Sequence, residues 1–131
     1  LMSGDLQPSD VPEAWNSRFT SDFGITPSNH SEGCLQDVHW SAGLFGYFPT
    51  YTMGALAAAQ LFVAAKASSP GLLDAIAEGN FAPLLAWLRA NVHEKASSAT
   101  TDQLLATATG TPLSVTAFKT HLGARYLAPT G

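Results

Sequence analysis

The residues whose types and spacing could do chemistry fall in one stretch, Gly33 to Tyr51, which reads GCLQDVHWSAGLFGYFPTY. Gln36, Asp37, His39, Trp40, Tyr47 and Tyr51 stand there among large apolar side chains, with glycines at 33, 43 and 46 and no lysine or arginine. This is the composition of a shaped pocket wall. A buried polar group left unpaired costs about 1 to 3 kcal/mol, so these groups form either a satisfied network or a binding site. A carboxylate such as Asp37 could fix the tautomer of a neighbouring imidazole. None of the six makes a nucleophile alone, and a metal cluster of Asp37 and His39 with His30 is the least favoured arrangement. Gln36 and Asp37 also fit roles as internal hydrogen-bonders or caps, and Trp40, Tyr47 and Phe48 fit the core. His39 and Tyr51 lean toward function.

GCLQDVHW matches a G-x-x-Q-D-x-H-W pattern at Gly33, Gln36, Asp37, His39 and Trp40. With the GLFGYFPTY that follows, it resembles the signature of the carboxypeptidase Taq family of metallocarboxypeptidases. The likeness extends to GDLQPSDVPEAWN before the motif and to FAPLLAWLRANVHEK and ATGTPLSVTAFKTHLGARYL after it, similar to that family's C-terminal helices. The resemblance implies a long helical enzyme that trims single residues from peptide C-termini. Its zinc (or cobalt) would be held by an H-E-x-x-H helix and a later glutamate, an arrangement that leaves a coordination position open for water. It also implies that Tyr51 and His39 border the catalytic cleft, where a phenol or an imidazolium can donate to a tetrahedral oxyanion. Tyr51 is the better candidate for that contact, and Gln36, Asp37, Trp40 and Tyr47 would bind substrate or support the cleft.

The metal-binding half is what this chain does not carry. Its histidines, His30, His39, His93 and His121, include no pair four residues apart, and the His93-Glu94 pair is followed by KAS. The sequence therefore reads as a C-terminal fragment, residues 1–131 forming one helical domain, with no metal bound by this chain alone. The start at Leu1 also reads as a cut.

Composition narrows the partners. Only 12% of the residues are charged against 46% apolar, where about a quarter charged is common, so part of the surface suits an interface. The net charge of −4 and six scattered Lys and Arg argue against nucleic acid. The most apolar window, Ala55 to Ala67, is shorter than the roughly 20 residues a membrane span needs, and no signal peptide is visible. Cys34 is the single cysteine, without cationic neighbours, which fits a packed thiol in a reducing cytoplasmic setting.

The elements that would position the motif are helices. Ser9 or Asp10 can cap a helix with Pro12 and Glu13 in its first turn and Gly24 at its end, whose Trp15, Phe19 and Phe23 form an i, i+4, i+8 aromatic ridge expected in the core. Residues 25–32 read as a loop containing His30. Asp37 either caps a short helix holding His39 and Trp40 or lies in an extended segment. From about Thr50 to Ala67 the chain is apolar nearly all round, a helix expected to be buried on most sides, with Gln60 its only strongly polar middle residue and Tyr51 on its first turn facing the pocket. Gly54 and the alanines at 57 to 59 suit close approach of another helix. Pro70 to Gly79, Asn80 to Val92, Thr101 to Thr109 and Ser114 to Leu127 complete an all-α array of about six helices around that central one.

Two classes of function follow. In the first, this is the C-terminal part of a metal-dependent carboxypeptidase, catalytic only with its N-terminal metal-binding half and a peptide C-terminus as substrate. In the second, it is a non-catalytic helical interaction module derived from that family; a structural remnant without ligand is a third. The low charge and apolar central helix lead us to expect either self-association or pairing with the absent half.

Overall fold

A computed structural model describes Leu1 and residues 3–127. Its α-helices are α1 (Val11–Phe23), α2 (Val38–Ser41), α3 (Pro49–Ser68), α4 (Leu72–Ala77), α5 (Ala82–Asn91), α6 (Thr101–Thr109) and α7 (Thr116–Leu122). Short 3-10 turns cover Pro8–Asp10 and His93–Lys95, and a π-helical turn, Gly123–Leu127, follows α7. Among the described residues there is no strand. The all-α expectation holds with seven helices, the additional one being α2, which the sequence left undecided. The contacts group the chain into two compact units, Leu1–Phe48 and the remainder from Pro49.

In the first unit, α1 ends where Gly24 adopts φ 73°, a left-handed conformation that glycine enters without a Cβ penalty. The expected cap at its start is built differently. Asp10 occupies the N-cap position, but its carboxylate accepts from Gln7 N at 3.1 Å and so closes the preceding 3-10 turn. The aromatic ridge is only partly core: the Phe19 and Phe23 rings pack at 4.7 Å, yet Phe23 is 67% exposed, because it sits on the helix's last turn.

In the second unit α3 is central, and α4, α5, α6 and α7 all contact it. Local chemistry sets where these begin. Thr100 caps α6, one residue before the expected Thr101, because Gln103 then stands three residues on and bonds back to Thr100 N. Asn80 accepts from Ala82 N at the start of α5, and Ser114 Oγ accepts from Thr116 N at the start of α7. Leu72, Ala65 and Leu105 are the buried apolar residues of this unit. On α3 itself full burial is confined to Gln60 and Ala65, while Met53 and Val63 are each 50% exposed. Helices as short as α4 and α6 cannot surround one of 20 residues.

Gln60 ties the unit together. Its Nε2 donates toward Thr109 Oγ1 at 2.8 Å, Thr111 O at 2.9 Å, Thr111 Oγ1 at 3.0 Å and Pro112 O at 3.1 Å, and its Oε1 accepts from Ser114 N at 3.0 Å. Replacing it with an apolar residue strands these groups. Gln60→Leu is expected to cost about 2 to 4 kcal/mol, since each buried polar group left unpaired costs about 1 to 3 kcal/mol. Gln60→Glu should cost more than Gln60→Leu, because a carboxylate in place of the amide donor would face the Thr111 and Pro112 carbonyls. Urea denaturation of the three proteins checks both the size and the order.

Candidate functional site

The motif is positioned by a loop that hydrogen-bonds to itself. Between α1 and α2, Ser28 Oγ donates to Glu32 Oε2 at 2.6 Å and Glu32 N donates to Asn29 Oδ1 at 3.1 Å. Gln36 Nε2 donates to the Glu32 carbonyl and so braces the loop. Gly33 is buried, and a Cβ there would meet Asn16 Oδ1 and Asn29 O at 3.3 Å, closer than most Cβ contacts. Cys34 beside it is 6% exposed, as its reading as a packed thiol requires. This close passage of the backbone over α1 sets the direction from which the chain enters α2.

Asp37 resolves the alternative left open by the sequence: with ψ at 106° it is the extended N-cap of α2. Its Oδ1 accepts from His39 N at 2.9 Å and lies 2.5 Å from His39 Nδ1. Both side chains are largely covered, 14% exposed for Asp37 and 17% for His39. The bond from His39 N holds the Asp37 carboxyl below the usual carboxylate range, burial opposes this, and the imidazole's hydrogen bond and charge lower it further. An ionised carboxylate only accepts, so His39 carries a proton on Nδ1. The ring's faces are also used. Tyr47 stacks on it at 5.3 Å with 23° between planes, and Phe48 packs at 5.4 Å and 48°.

Trp40 takes a separate role. It stacks on Phe45 at 6.1 Å and lines an apolar pocket of about 430 Å³ with Trp15, Leu6 and Val11. Gln36, Asp37, His39, Trp40 and Tyr47 thus all lie in the first unit, with Asp37, His39 and Tyr47 joined directly. Tyr51 lies in the second unit, on the first turn of α3, 58% exposed. Sequence reasoning missed Glu32 as the anchor of the loop. The signal was the Asn29 side chain three residues before it, a spacing suited to a side-chain turn.

Among the described residues no three His, Cys, Asp or Glu side chains are grouped so as to hold a metal ion. The arrangement of Asp37 and His39 with His30 is therefore not assembled; His30 lines a different groove, with Glu13 and Asn16 on α1. The donor set present does not fit a catalytic metal. Nor, among the described residues, is any helix long and apolar enough to cross a membrane.

The sequence model of carboxypeptidase Taq (M32) metallopeptidases matches residues 1–126. The chain belongs to the carboxypeptidase Taq (M32) family. It is 42% identical to thermostable carboxypeptidase 1 of Thermus thermophilus over all of this chain and 26% of the relative, and 38% identical to that of Pyrococcus furiosus over 97% and 26%. Among solved structures it resembles Trypanosoma cruzi metallocarboxypeptidase 1, with TM-score 0.91 and 41% identity over 96% of this chain and 27% of that one. The M32 carboxypeptidase of Deinococcus radiodurans gives TM-score 0.90 at 34% identity over 95% and 25%. The chain spans about a quarter of the length of the carboxypeptidase Taq relatives it matches.

The Asp37–His39 contact makes stability depend on pH. Because the fold lowers the Asp37 pKa, the unfolded chain binds the proton more readily, so the contribution is complete above the ordinary carboxylate pKa and is lost as pH falls through the lowered value. Asp37→Asn removes it. The stability gap between the two proteins should be constant near neutrality and shrink between about pH 5 and pH 2, which a series of urea unfolding curves would show.

Proposed function

We propose that this chain is the C-terminal part of a metal-dependent carboxypeptidase that removes single residues from peptide C-termini. In this reading GCLQDVHW and GYFPTY carry the family's signature and line the substrate cleft. The observation that carries it is the match itself: essentially all of this chain aligns with only about a quarter of full-length carboxypeptidases. The family implies a metal, in this reading zinc or cobalt held by residues of the N-terminal portion. No step through the metal is assigned to this chain.

What the chain contributes is orientation and hydrogen-bond donors. Asp37 is a positioning residue that keeps the His39 proton on Nδ1, and Tyr47 restrains the imidazole by stacking on its face. His39 and Tyr51 are the catalytic groups we assign to this chain, with the Tyr51 hydroxyl as donor to the developing oxyanion. Gln36 and Trp40 support the cleft through the loop and the apolar pocket. The setting is cytoplasmic, consistent with the single buried thiol of Cys34.

The test uses a chimera in which this chain replaces the matching quarter of the Thermus thermophilus relative. The chain alone should release no C-terminal residue from a short peptide with zinc or cobalt present, whereas the chimera should release it in a chelator-sensitive way. In the chimera, Tyr51→Phe should lower kcat by about 10²-fold with KM little changed, the loss typical of one oxyanion donor. A folded chimera without activity would favour the interaction-module reading, and metal-dependent release by the chain alone would overturn the fragment reading.

A further inference from the structure

The second unit carries an apolar groove that none of its described residues fills. Ala55, Ala58 and Ala59 of α3 form its floor, Phe62 and Phe118 its walls, and His121 of α7 stands at its edge; its volume is about 630 Å³. Lys66 also lines it, with the ammonium 5.4 Å from the centre of the Phe62 ring. Among the described residues neither Lys66 nor His121 takes part in an ion pair. The groove's charged or titratable lining is thus basic, in a chain whose net charge is −4.

Three observations point to one occupant. A helix apolar all round is stable in water only when covered on most sides, and α3 is apolar along its length yet fully buries only Gln60 and Ala65. A floor of alanines admits a helix at close distance, since small side chains set interaxial separation at the short end of the usual 8–10 Å. The relatives are about four times as long as this chain, so on the fragment reading the material able to cover the groove belongs to the same polypeptide. We infer that the groove is the seat of an amphipathic helix from the family's N-terminal portion, laying an apolar stripe on Ala55, Ala58 and Ala59 and bringing a carboxylate to Lys66 and His121. This rests on the fragment reading and locates the surface on which the absent portion docks.

The test measures coverage at the groove floor and peptidase activity separately. Ala58→Cys is introduced into this chain and into the chimera with the Thermus thermophilus relative, and alkylation by iodoacetamide is followed by mass spectrometry on the peptide carrying residue 58. The isolated chain should react freely. The peptide-cleaving chimera should react about tenfold more slowly or less, because a covered thiol is reached only through local opening. A second variant, Ala58→Arg, should leave the melting temperature of the isolated chain unchanged and lower that of the chimera by several degrees. Equal alkylation rates in an active chimera would overturn the groove assignment while leaving the fragment reading intact. A folded chimera without activity would overturn that reading and this inference with it. Slow alkylation of the isolated chain that speeds up on dilution would show a second copy in the groove, which also overturns it.

Discussion

A helix with no polar face has nothing to set its rotation about its own axis, and in the second unit that constraint falls on one amide. Gln60 reaches the segment between α6 and α7 at Thr111, Pro112 and Ser114, and the end of α6 at Thr109. The last carbonyls of a helix lack intrahelical partners, and a turn leaving it carries more of them; a side-chain amide is among the few groups that can donate and accept there at once. Gln60 itself is 6% exposed, while its partners Thr111 and Pro112 lie on a turn open to solvent. The rotation of α3 is thereby locked, and with it which of its small residues meet α7. The sum of a few tenths of a kcal/mol from exposed pairs such as Arg18–Asp22 is small beside this one polar cross-link.

How much of this was legible follows from the range of each interaction. The all-α class and most helix positions were readable because periodicity and punctuation act within a few residues. Cap errors were of one residue, as at Thr100, where the reciprocal partner Gln103 decided between adjacent threonines. Gln60 stood out in the sequence as the lone polar residue of an apolar run, but its partners are 49 to 54 residues away and no spacing rule reaches that far. The Asp37–His39 relation was legible as a pair and not as a geometry, since residues two apart share a face in a strand and can equally form a cap. The extended ψ of Asp37 followed by helix settles it. The exposure of Phe23 and of much of α3 was not legible, because apolar periodicity announces a wish for burial and does not say whether the covering surface is within the same segment.

The two units differ in how complete they are. The Asp37–His39–Tyr47 cluster is assembled from residues close in sequence, on a loop braced by Asn29, Glu32 and Gln36. Its imidazole makes a charge-assisted bond to Asp37 and packs against the Tyr47 and Phe48 rings, the kind of order a preorganised site has before a ligand arrives. Such local construction costs little loop-closure entropy. The surface of α3 is the opposite case, an apolar helix whose partners among the described residues of its own unit are too short to cover it. The network of residues 33–48 is thus closed by interactions of short range, whereas among the described residues of the second unit the groove over Ala58 is a packing face left open.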